Sequence, residues 1–378
     1  MRLPSMLVAA ALLCGCPEPL FPSDAERVQI LGLLGLKTPP RDQTNKVSED
    51  GAAAALGKAL FEEPGLSRCG NLACVTCHPP PVFTDRQKLS QGCGGLTTRN
   101  TPSLLNQAFR RWYYWDGRKD SVWSHGVLPI TRDIEMNQDV PGLRTFLAST
   151  RGAPYVTQYK AVFGVEPAAE KDDQRLLSNL TKAIAAYLRP MVAMQSQFDA
   201  DLPRFLAAVD RNEEPSDPLY LPLKVFVRTG RCIACHKGPV FADDLFHNLG
   251  LDDQGTHDTG HIDGAPVLQA DPFNGTGAYS DDKAAGATKL DSLSVTEATD
   301  RGAFRTASLR NIALTAPDMH TGHLKTLDEV IDFYDRGGDA AGTFEGTRTS
   351  TIIPLHLKAE EKAALKQLLE MLTDTRLK

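Results

Sequence analysis

Apolar residues recur along this chain at helical rather than strand spacing. Between Gln174 and Met194, the side chains of Leu177, Leu180, Ile184, Tyr187 and Met191 follow one another at alternating steps of three and four, which predicts a long amphipathic helix. Gly51 to Phe61 and Leu223 to Thr229 read as shorter helices. Thr326-Leu-Asp-Glu329 is a capping box. Leu327, Val330, Ile331 and Tyr334 then share one face, and Gly337-Gly338 stops the helix. Ala359 to Leu372 predicts a last helix through Leu365, Leu368, Leu369 and Leu372. No strand alternation is evident. The Pro/Gly-rich stretch Pro79 to Thr101 and the Gly/Asp/Thr-rich stretch Asp243 to Ser294 read as long ordered loops. Pro215, Pro218 and Pro222 mark residues 212–222 as a linker. The pattern predicts a mainly α protein with domains at 51–211 and 223–378.

Composition sets further limits. The chain has 378 residues, enough for two domains with their own cores. Lys+Arg 41 against Asp+Glu 47 gives a net charge of −6 without any basic run, which argues against nucleic acid as a partner. Apolar content of 42% excludes a disordered chain. Leu3 to Leu13 is too short to span a bilayer but fits the apolar region of an export signal. Leu13-Cys14-Gly15-Cys16 resembles a lipobox, so residues 1–16 are expected to be a signal cut before a lipidated Cys16. The alternative is a plain signal cut later. Residues 17–50 then read as a tether. Either way the protein is expected to be exported, periplasmic, and in contact with a membrane only through a lipid anchor.

The cysteines carry the chemistry. Cys74-Val-Thr-Cys77-His78 and Cys232-Ile-Ala-Cys235-His236 are two copies of C-x-x-C-H, the attachment pattern of covalent haem c. The spacing brings two sulfurs to the vinyl edge of a porphyrin, and the following imidazole reaches the iron. A four-cysteine zinc site would leave both histidines unexplained. Two cytochrome-c-like domains, each with one haem c, are therefore expected, with a site between them. Cys69 and Cys93 remain, and in an exported protein a leftover pair reads most simply as a disulfide. The alternative is a free Cys93 thiolate near iron. Trp112, Trp115 and Trp123 crowd twelve residues, either as a buried aromatic wedge or as an electron relay between the haems.

Several segments together resemble the bacterial di-haem cytochrome c peroxidase family, including its MauG-like branch. They are Leu56-Gly-Lys-Ala-Leu-Phe61, Leu66-Ser-Arg68, Arg99-Asn-Thr-Pro-Ser-Leu-Leu105, Trp115-Asp-Gly-Arg118, Glu135-Met136, Phe246-His-Asn-Leu-Gly250, Ser308-Leu-Arg-Asn311 and Thr315-Ala-Pro317 through Tyr334. The resemblance implies that the haem on His78 binds peroxide and that the haem on His236 stores or transfers electrons. It implies that Trp115 lies between them and that Glu135 is the distal acid–base group. Asn100, with the carbonyls of Thr306 and Ser308, matches the family's inter-domain calcium ligands.

Three positions depart from the peroxidase pattern. His125 stands where the distal pocket usually has glutamine, and it is expected to assist peroxide cleavage, to ligate the first iron, or only to be held in place. Cys93 occupies the position of the histidine that blocks the first iron in peroxidases requiring reductive activation. Tyr334 matches the MauG-type sixth ligand of the second haem, with Met319 as the fallback and His320 and His323 close by. The expected function is a peroxidase that takes hydrogen peroxide and is fed by a small cytochrome c or cupredoxin. The alternatives are a MauG-like oxidase of tryptophan or tyrosine on a partner protein, and a di-haem electron carrier or redox sensor.

Overall fold

The computed structural model describes residues 21–211 and 217–377. The expected export signal, Cys16 and most of the expected linker lie outside these residues. The described chain is 44% helix. It runs through α1 (Asp24–Leu31), α2 (Gly51–Phe61), α3 (Cys74–Cys77), α4 (Val122–Thr131), α5 (Val140–Ala148), α6 (Ala153–Phe163) and α7 (Asp173–Leu188). There follow α8 (Gln197–Asp210), α9 (Tyr220–Lys224), α10 (His261–Ala270), α11 (Lys283–Leu290), α12 (Glu297–Asp300), α13 (Leu327–Asp335) and α14 (Ala359–Met371). Two strands of two residues each, β1 (Phe246–His247) and β2 (Phe304–Arg305), pair antiparallel.

Two apolar cores organise these helices. The first joins α2, α4, α5, α6 and α7 around Leu56, Phe61, Trp123, Leu143 and Leu180. Helix α7 is buried on nearly every side, and α2 lies so close that a Cβ at Gly57 would stand 1.9 Å from the Ala183 carbonyl. The second core joins α8, α9, α13 and α14 around Phe198, Leu202, Phe226, Leu365 and Leu368.

The division between cores does not follow the proline signal. Helix α8 precedes the expected linker, yet its apolar face belongs to the second core, as do Phe21, Ile30 and Leu33 of the expected tether. Arg310 ties this segment down, donating to the Leu33 carbonyl at 2.8 Å. The long helix ends at Leu188 rather than Met194, just before Pro190. Asp243 to Ser294 is not all loop. It contains α10 and α11, whose sequences hid Gly264, Pro266 and Gly286 inside helices that would otherwise have been legible.

A repeat relates the two halves. Thr101-Pro-Ser-Leu-Leu-Asn106 and Thr306-Ala-Ser-Leu-Arg-Asn311 adopt the same course. Ser103 donates to the Val82 carbonyl at 2.5 Å, and Ser308 donates to the Val240 carbonyl at 2.6 Å. Asn106 and Asn311 both take the left-handed conformation at φ 62° and 65°, as do Tyr114 and Met319 further on. Each copy then enters a helix capped by a hydroxyl, Ser121 for α4 and Thr326 for α13. The repeat puts Trp115 and His320 in equivalent places.

Candidate haem centres

In each C-x-x-C-H segment the histidine is prepared as an iron ligand. His78 Nδ1 is 2.9 Å from the Phe83 carbonyl, and His236 Nδ1 is 2.9 Å from the Phe241 carbonyl. A carbonyl can only accept, so Nδ1 carries the proton and Nε2 keeps its lone pair for a metal. Burial also lowers the pKa of both imidazoles, favouring the neutral form that coordinates. Phe83 and Phe241 both sit at positive φ, 54° and 53°, which turns their carbonyls back onto the histidines.

The four motif sulfurs are not bonded to one another. Cys232, Cys235 and His236 face a largely apolar cavity that also receives Trp115, Met319 and Tyr334. Paired thiols, a prepared imidazole and apolar walls are what a covalently held macrocycle requires, so the residues fit haem c. The zinc alternative fails on placement: among the described residues Cys235 groups with Asp243 and His247, not with Cys74 or Cys77. Tyr334 and Met319 lie together in one small apolar cluster with Leu251 and Phe333. Burial raises the Tyr334 phenol, with the nearby Cys232 and Cys235 adding to the effect.

Beside the first motif the structure assembles a second set of groups. Cys69 and Cys93 form a disulfide, which removes the free-thiolate alternative for Cys93. The bonded loop packs on the chain before Glu135: Cys93 N–H donates to the Glu135 carbonyl at 2.7 Å. A Cβ at Gly92 would stand 1.9 Å from the Ile134 carbonyl, so only glycine permits this approach. Glu135 is mostly buried, and its carboxyl is held by Arg132 at 3.2 Å. Burial raises its pKa against the pull of Arg132 and Arg118. His125 projects from α4 between two tyrosines, stacked on Tyr113 at 5.7 Å and edge-on to Tyr114 at 4.6 Å. Burial, then the field of His78, pushes its imidazole down to about 3, so it is neutral. Tyr114 was not singled out from the sequence. It is half-buried, with its phenol raised first by burial and then by Glu135.

The three tryptophans separate. Trp123 fills the first core and donates to Thr44 Oγ1 at 2.9 Å. Trp112 packs under Arg111. Only Trp115 reaches the second cavity, with Nε1 donating to the Asn100 carbonyl at 2.8 Å and its ring 6.3 Å from that of His320. Beneath it, Asp116 binds Arg99 at 2.7 Å and Arg118 at 2.8 Å, and Arg99 crosses to Asp258 of the other half at 2.7 Å.

One of the three expected calcium ligands, the Thr306 carbonyl, does not fit a cation. The Thr306 carbonyl accepts from Arg110 Nη2 at 2.6 Å and from Arg305 Nη1 at 3.3 Å. A dication sharing that oxygen would stand roughly 4.5 Å from a guanidinium nitrogen, a repulsion of about 7 kcal/mol even at an effective dielectric of about 20. Asn100 is buried, and its amide nitrogen donates to the Gln87 carbonyl at 2.8 Å, a bond that does not engage Oδ1.

Comparison with known proteins agrees with this geometry. Residues 51–204 match the family profile of di-haem cytochrome c peroxidase. The chain is 31% identical over 304 residues to methylamine utilization protein MauG of Methylorubrum extorquens, covering 79% of this chain and 72% of that one. This chain belongs to the di-haem cytochrome c peroxidase and MauG family. It is accordingly an oxidoreductase of the cytochrome c peroxidase type, and the family's cofactor is haem c. A cytochrome-c peroxidase of Denitromonas iodatirespirans is 32% identical over 332 residues, with 85% and 81% of the two chains covered. A crystal structure of a MauG-like protein associated with microbial copper homeostasis superposes with a TM-score of 0.66 at 25% identity, covering 90% of this chain and 94% of the other.

Proposed function

We propose that this family member is a periplasmic di-haem peroxidase. It reduces hydrogen peroxide beside His78 with electrons delivered from the His236 side past Trp115. The observation that carries this reading is the mostly buried Glu135 carboxyl next to the first motif, held by Arg132, with the disulfide loop fixing the Glu135 backbone. When bound, haem c supplies an iron that binds peroxide and exchanges electrons. The chain supplies the rest. Reduction to two waters consumes two electrons and two protons, so a proton must move from one peroxide oxygen to the other before the bond breaks. Glu135 is suited to that transfer because burial lifts its pKa toward the working range. Neutral His125, fixed between Tyr113 and Tyr114, offers a hydrogen bond to the same substrate. No helix among the described residues is long and apolar enough to cross a membrane, and a lipid on Cys16 is the proposed attachment. A small cytochrome c or cupredoxin is the proposed reductant.

A second reading, oxidation of a tryptophan or tyrosine on a partner protein, draws on Tyr334. This half-buried tyrosine lines the second cavity at the position matching the MauG-type ligand. It also draws on the matched MauG relative. Stopped-flow mixing of the Glu135→Gln holoprotein with peroxide tests the shared step. The initial reaction should slow about 10²–10⁴-fold with both haem spectra intact. An unchanged rate would remove Glu135 from the mechanism.

A further inference from the structure

Arg110 leaves the first half of the chain and ends inside the second. The residue is 6% exposed. Its Nη2 donates to the Thr306 carbonyl and lies 2.7 Å from Asp244 Oδ1, while Nε and Nη1 have no partner in the protein. Arg305 is equally buried beside it, 3.7 Å from the same Asp244 oxygen. The neighbouring acid is already engaged, since Asp243 takes His247 at 3.1 Å and the Thr306 hydroxyl at 2.7 Å. Two buried guanidinium groups thus share one carboxylate, and one of them keeps unpaired N–H groups. Such an arrangement is costly unless an anion completes it. Both arginines line the cavity of Cys232, Cys235 and His236. The macrocycle those cysteines would tether carries two propionates, planar carboxylates that match a guanidinium fork.

We propose that Arg110 pairs with a propionate of the second haem and replaces the inter-domain calcium, so that this chain joins its halves through an arginine and binds no calcium there. The proposal rests on haem occupying the second motif, not on the reaction performed. Two parts of the bridge are in place, since a side chain from one half holds a backbone carbonyl and a carboxylate of the other, and Nε and Nη1 would take the propionate.

The test uses the holoprotein. Haem is counted by pyridine haemochrome, calcium is measured by elemental analysis after dialysis against EGTA, and both midpoint potentials are determined by spectroelectrochemistry. The wild type should hold two haems and no stoichiometric calcium, with unchanged ferric EPR signals after chelation. Arg110→Asn should shift the second haem's potential downward, because removing a nearby cation favours the ferric form. The first haem should stay put, and Arg110→Lys should recover part of the shift. One calcium per chain surviving dialysis, or an unshifted potential in Arg110→Asn, would overturn the proposal. If Arg110→Asn does not fold, the calcium content of the wild type decides. A count of one haem would overturn the cofactor reading as well and is distinguishable from the other outcomes.

Discussion

Removing the Cys69–Cys93 bond tests stability and the peroxide pocket together. The bond closes a loop across a sequence separation of 24 residues. Restricting an unfolded loop of that length is worth about 3.5 kcal/mol at 25 °C in the chain-entropy account. For a unfolding unit of some 150–250 residues each kcal/mol moves the midpoint by about 2–4 °C, so the loss should be roughly 7–14 °C. The loop also presses on residues 133–135, through Gly92, Gly94 and the Cys93 N–H, so its release should wet the Glu135 carboxyl. The perturbation is the pair Cys69→Ser and Cys93→Ser, and the assay is scanning calorimetry of the holoprotein. Dithiothreitol on the wild type is an independent arm, since thioether links to haem resist thiol exchange and only this bond should open. Both arms should lower the same transition by the same amount and slow the reaction with peroxide. An unchanged midpoint in either arm would refute the entropy argument. A lowered midpoint with an unchanged peroxide rate would show that the loop does not hold Glu135.

Three further outcomes are expected. Trp115→Phe deletes the N–H donated to the Asn100 carbonyl at a cost of about 1 kcal/mol. It should leave peroxide binding intact while breaking the coordinated response of both ferric EPR signals, and retained coupling would end the relay role. Burial alone would raise the Asp116 carboxyl, but Arg99 and then Arg118 outweigh it and hold its pKa at about 2. Its contribution of about 2 kcal/mol should be full above pH ~4 and disappear as pH falls through ~2. Denaturant titrations of wild type and Asp116→Asn should therefore converge in acid. Lys182, nearly without solvent, depends on Asp281 at 2.6 Å and the Tyr279 carbonyl at 2.7 Å. Asp281→Ala should cost about 3–5 kcal/mol by chemical denaturation, whereas Lys182→Met should cost less.

What could be read in the sequence was what is local. Each haem motif is five consecutive residues, and the α13 cap is four. Chemistry and spacing suffice for both. Glu135 was accessible only by resemblance, because its setting comes from Arg132 and from a loop disulfide-bonded far upstream. Arg110 gave no local signal: its partners Asp244 and Thr306 arrive more than a hundred residues later, and nothing near it in sequence distinguishes it from a surface arginine. The two-half repeat is short in sequence, with Thr101-Pro-Ser-Leu-Leu-Asn106 and Thr306-Ala-Ser-Leu-Arg-Asn311 sharing four of six residues, and only the matching turns at Asn106 and Asn311 make it plain. Helix α1 was missed because its sequence, Asp-Ala-Glu-Arg-Val-Gln-Ile-Leu, offers one fully buried side chain, Ile30. One apolar anchor is too little for a periodicity.

That small helix bears on the order of assembly. Phe21, Ile30 and Leu33 close against Phe226, Leu365 and Leu372, which join some of the earliest described residues to some of the last. Contacts so distant along the chain form late. The second core therefore stays open until α14 has been synthesised. Throughout that interval Cys232 and Cys235 remain within reach of whatever enzyme attaches the haem.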